Sequence, residues 1–117
     1  MNSDELKKRT KIFAINIIKL ARNLPKSSVG RIIENQLIRA GTSVGANYRA
    51  AYRAKSNADF TYKINMVEEE ADETQFWLEL IIEAGLITNE KVGILLTEAK
   101  ELTAIFTSSG RTAKSKK

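Results

Sequence analysis

Apolar residues recur along most of this chain at alternating spacings of four and three, the rhythm of helices with one buried stripe. In the first segment the stripe is Leu6, Thr10, Phe13, Ile17, Leu20 and Leu24, and Pro25 ends it. Ser27 or Ser28 can then cap a second helix by accepting a hydrogen bond from an unpaired backbone N–H. Its inward residues are Ile33, Leu37, Ala40, Val44, Asn47, Ala51 and Ala54, which predicts a helix from about Val29 to Lys55. Ser56 with Asp59 three residues on resembles a capping box, and Phe60, Ile64, Val67, Ala71, Thr74, Leu78 and Ile81 carry a third stripe. Gly85 stands where a helix end takes positive φ, with Leu86 and Ile87 as the apolar contact after it. Thr88 or Asn89 caps the fourth helix, whose stripe is Val92, Leu95, Ala99, Leu102 and Phe106. Short links between long helices force antiparallel neighbours, so the expected fold is all-α, an antiparallel up-and-down four-helix bundle.

The small run Ala40-Gly41-Thr42-Ser43-Val44-Gly45-Ala46 interrupts this regularity. Each mid-helix glycine costs roughly 1 kcal/mol against alanine, and close approach of another backbone is the natural compensation. The run therefore reads as a tight helix crossing, with a break at Gly41 or Gly45 as the alternative.

Composition narrows the function more than the fold. A chain of 117 residues makes one core, here assigned to residues 1–107, with residues 108–117 as a basic disordered tail. The absence of Cys and His removes thiolate nucleophiles, the usual transition-metal ligands and the side chain that titrates near neutrality. No catalytic residue, metal site, cofactor or small-molecule substrate is expected. The acidic run Glu68-Glu69-Glu70-Ala71-Asp72-Glu73 invites a di-iron reading, but such sites use Glu-x-x-His pairs, and helical phase turns Ala71 and Thr74 inward here. The polar start Met1-Asn2-Ser3-Asp4-Glu5 and the interrupted stretch Ile12 to Leu24 suit neither an export signal nor a membrane span, so the expected location is cytoplasmic.

Charge divides the chain. Residues 1 to 55 carry twelve basic and three acidic side chains, a net of +9, whereas residues 56 to 107 carry three basic and eleven acidic, a net of −8. The halves can complement each other within one bundle, attract between subunits, or present solvated faces. On the second helix Arg31, Arg49 and Arg53 fall within about 40° of one another, Arg39 about 80° away, and Tyr48 and Tyr52 flank the stripe. Guanidinium groups interleaved with aromatic rings suit phosphates and unstacked bases. With Lys114, Lys116 and Lys117 these residues form the candidate nucleic-acid contact, the alternative being ion pairs to Glu68, Glu69, Glu70 or Glu73. Trp77 beside Leu78 reads as packing, and Ile12, Ile15 and Ile18, off the main stripe of the first helix, form a candidate contact between protomers.

The blocks Arg39-Ala40-Gly41-Thr42-Ser43-Val44-Gly45-Ala46-Asn47-Tyr48 and Glu70-Ala71-Asp72-Glu73-Thr74-Gln75-Phe76-Trp77-Leu78 together resemble the 23S rRNA intervening sequence protein family. The resemblance implies an antiparallel four-helix bundle, often assembled as a pentameric ring with a central channel, and brings no catalytic residues. Some members are encoded within insertions in bacterial 23S rRNA genes. The accessory variability determinant of diversity-generating retroelements is similar in fold and binds nucleic acid beside a reverse transcriptase. The expectations that follow are a homo-oligomer, RNA or DNA as ligand, and a protein partner such as a reverse transcriptase. Where members often carry Glu after the Asn-Tyr block, this chain has Arg49-Ala50-Ala51, which makes the face more basic.

Overall fold

Asn2 opens the first helix by accepting a hydrogen bond from the Glu5 backbone N–H at 2.8 Å, and Pro25 follows its end. The computed structural model describes residues 1–115. They form four helices, α1 (Ser3–Ala21), α2 (Ser28–Tyr52), α3 (Asn57–Glu83) and α4 (Lys91–Ser115). Ser27 caps α2 through the Gly30 N–H at 3.1 Å, and Ser56 caps α3 through the Asp59 N–H at 3.0 Å. Asp59 in turn accepts from the Lys55 N–H, one residue upstream of the partner a capping box would use. Gly85, at φ 67°, ends α3, with Leu86 N–H donating to the Ile81 carbonyl and Gly85 N–H to the Ile82 carbonyl. Asn89 accepts from the Lys91 N–H at the start of α4.

Packing runs in a cycle, α1 on α2, α2 on α3, α3 on α4, with α1 and α4 touching least and the diagonal pairs α1/α3 and α2/α4 lying apart. The result is a rod of 47 × 22 × 21 Å. Its axis is lined by the expected stripes: Phe13, Ile17, Leu37, Val44, Ile64, Leu78, Ile81, Leu102 and Phe106 are all fully buried. Trp77 packs on this core at its edge, donating its indole N–H to Glu73.

α2 runs unbroken through Gly41 and Gly45, and the crossing partner is α1. A Cβ on Gly41 would stand 2.8 Å from Ile17 Cγ2, and one on Gly45 would stand 3.3 Å from Thr10 Oγ1. Three threonines sit in the core, and each satisfies its hydroxyl within its own helix: Thr10 donates to the Leu6 carbonyl, Thr61 to Asn57 and Thr74 to Glu70.

Two expectations change. The stripe of α2 drifts near its end, so Tyr48 is buried, its ring 5.4 Å from that of Phe106, and Asn47 is only half-buried. The segment after Phe106 is helical to Ser115 where a disordered tail was expected. Gly110 and Ala113 continue the buried stripe against α3, and the Ala113 carbonyl accepts from the Asn57 amide at 2.9 Å.

Candidate nucleic-acid interface

Antiparallel topology gathers at one end of the rod the start of α1, the end of α2, the start of α3 and the end of α4. Lys7 stands over the Tyr52 ring at 3.6 Å from its centroid, joining the first pair, and the Asn57 bond to Ala113 joins the second. Onto this end project Lys8, Lys11, Arg49, Arg53, Lys55, Arg111 and Lys114, all exposed. Among the described residues none of these seven makes an ion pair. The acidic groups nearby in sequence are Asp4, Glu5 and Asp59. Lys63 donates to Asp59 at 3.0 Å, and that bond, with the Lys55 N–H behind it, holds the Asp59 carboxyl below its ordinary range.

The row of arginines expected along α2 is thereby divided. Arg49 and Arg53 lie at the basic end, but Arg31 stands about 27 Å away along the helix, at 1.5 Å per residue. Between them Arg39 is tied to Glu70 at 3.3 Å and to Glu73, which is the ion-pairing alternative. Tyr48 is unavailable to a ligand because it completes the core beside Phe106. Tyr52 remains half exposed, with its face covered by Lys7. Lys114 is exposed in the last turn of α4, and Lys116 and Lys117 lie outside the described residues.

Lys8, Lys11, Lys55 and Arg111 were not among the sequence candidates. Their signal is topological: they are distant in sequence and share an end only once the helices are known to alternate in direction.

Away from this end, Arg39 and Arg9 are each paired with two carboxylates. Arg9 donates to both oxygens of Glu98 at 2.7 Å and to Glu101 at 2.8 Å, across the seam between α1 and α4. These bonds, that to Glu98 foremost, hold the Arg9 guanidinium charged even more firmly than usual. Beside this latch the seam opens into a shallow groove lined by Ile12, Asn16, Lys19, Ile94 and Leu95. Of the candidate protomer contacts Ile12 and Ile15 are exposed, 52% and 44%, and Ile18 is half-buried. Among the described residues no group of three acidic side chains is placed to hold a metal ion, and no helix is long and apolar enough to cross a membrane.

Comparison with curated proteins finds no match. Among solved structures the chain is similar to a protein of unknown function from the S23 ribosomal protein family of Bacteroides thetaiotaomicron. The two are 35% identical, the match covers 90% of this chain and 97% of the other, and the TM-score is 0.82. The family model described as 23S rRNA-intervening sequence protein matches residues 3–108, and the chain belongs to that family.

Proposed function

We propose that this protein is a non-catalytic, self-associating helical bundle that binds RNA or DNA through its basic end, chiefly by phosphate contact. The observation that carries the reading is the convergence of Arg49, Arg53, Lys55, Arg111 and Lys114 from three helix ends, with no ion pair to any of them among the described residues. Cationic groups held apart on a rigid scaffold match the spaced charges of a phosphate backbone, and they read its geometry more than its sequence. The family's tie to 23S rRNA genes supports RNA as the first ligand to try.

Fluorescence anisotropy with a 20-nucleotide single-stranded RNA and a DNA duplex, titrated in salt, tests it. Affinity should fall by about 10-fold or more between 50 and 200 mM salt through counterion release. Arg49→Glu with Arg53→Glu and Arg111→Glu should abolish binding, whereas Arg31→Glu, at the opposite end, should change it less than about 3-fold. Binding absent at low ionic strength overturns the reading, and leaves the adaptor alternative, an assembly that docks a protein partner.

A further inference from the structure

Tyr48 and Tyr52 lie one turn apart on α2 and meet opposite surroundings. Tyr48 closes the core against Phe106, whereas Tyr52, the last residue of the helix, is 50% exposed at the basic end. What covers its ring is a cation: the Lys7 ammonium stands 3.6 Å from the ring centroid. Among the described residues Lys7 makes no ion pair, and it is less exposed than its neighbour Lys8. Lys11 lies one turn from Lys7 on α1 and Arg49 one turn from Tyr52 on α2, both exposed. The ring is therefore a flat apolar surface set among groups suited to phosphate, and it is closed by a charge on a flexible four-carbon stem.

We infer that Tyr52 is a stacking platform for one unpaired nucleobase, and that Lys7 is its displaceable cover. This rests on the nucleic-acid binding proposed above and specifies the strand state that the basic end takes, a single strand or an open loop. Magnitudes favour the exchange. A cation over a partly exposed ring is worth about 2- to 5-fold in an equilibrium, whereas a base stacked on an aromatic side chain contributes about 5- to 150-fold. The displaced ammonium still counts, because it stays beside Lys8, Lys11 and Arg49 and is free to pair with the phosphate next to the stacked base. The paired interior bases of a duplex are stacked on one another, so their faces are closed to the ring and Lys7 keeps its place. No base is preferred strongly, since each has a π-face to offer.

Fluorescence anisotropy with one 20-nucleotide RNA, used single-stranded and annealed to its complement, tests it. Tyr52→Ser should weaken single-strand binding about 5- to 150-fold and duplex binding less than about 2-fold. Tyr52→Phe keeps the ring and should bind both forms within about 2-fold of the unaltered protein. Tyr52→Leu keeps apolar bulk without a ring, should show the same selective loss, and stands in for Tyr52→Ser if circular dichroism shows that variant unfolded. Lys7→Met should make the logarithmic salt dependence shallower by about 0.7 for the single strand, which alone recruits that charge, and leave the duplex slope unchanged. A Tyr52 loss equal on both forms makes the residue a clasp between α1 and α2, and no loss on either leaves the ring idle. Each of these overturns the platform while the basic-end reading stands. A slope that also falls on the duplex overturns the role of Lys7 as cover. Binding of neither form by the unaltered protein at low ionic strength overturns the basic-end reading itself, and the platform with it.

Discussion

The two sides of α1 are held in unlike ways. Toward α2 it is pressed against bare backbone, Ile17 on Gly41 and Thr10 on Gly45, with no room for a methyl group at the first. Toward α4 it meets a shallow groove and one ionic latch, Arg9 on Glu98 and Glu101. Steric fit is short-ranged and intolerant of added volume, whereas a partly exposed ion pair is weak and adaptable. The close side fixes where α1 lies, and the open side leaves it able to receive something else.

The largest break should come at Gly41→Val, which sets a branched side chain into Ile17, itself branched at Cβ and buried. A loss of about 3 kcal/mol is expected in urea unfolding, beyond any gain in helix propensity. Removing residues 108–117 should cost about 1–2 kcal/mol, because Ala113 and Gly110 are buried and the Asn57 amide loses its acceptor. Arg9→Met, on the open side of α1, should cost about 1 kcal/mol at low salt and less at 1 M, since both partners are part exposed. Gly45→Ala should fall within about 0.5 kcal/mol, its contact with Thr10 being looser and helix propensity acting in the opposite direction.

The smallest effect should be that of Asp59→Asn, and it carries a pH signature. The folded Asp59 carboxyl titrates below its ordinary range, so its contribution is present above the unfolded value and lost as pH falls through the folded one. The difference in urea midpoint between the original and the variant should therefore be measurable at pH 7 and shrink as pH falls below the ordinary carboxylate range.

The helices were legible because a buried stripe must repeat wherever two helices pack, and Phe13, Val67, Leu78 and Leu102 announce it. The last turns of α4 escaped because their stripe, Phe106 to Gly110 to Ala113, keeps the four-three spacing in residues too small to register as apolar. Tyr48 was misplaced for a related reason. Over 25 residues the 3.6-residue turn drifts against a seven-residue pattern, and near the end of α2 it carries the tyrosine ring into the core in place of Asn47. The basic end was the least legible part. Counting charge by segment divides the chain at residue 55, whereas antiparallel folding sorts charge by which helix termini meet. Arg49 and Arg111 come to the same end of the rod through topology alone.

The three buried threonines have a consequence for how the helices know their relative positions. Each hydroxyl is satisfied by the carbonyl four residues back, so none reaches across to lock one helix at a fixed height against another. In the core itself sliding is therefore resisted by shape, with Ile17 in the notch of Gly41 as the detent, and the polar ties between helices, such as Arg9 to Glu98, Asn57 to Ala113 and Gln75 to Thr103, lie at its margins. Thr61→Val or Thr74→Val removes a donor whose acceptor keeps its helical N–H partner, and is expected to be tolerated. The vertical register of this bundle is stored in a missing side chain, and in no polar bond of its core.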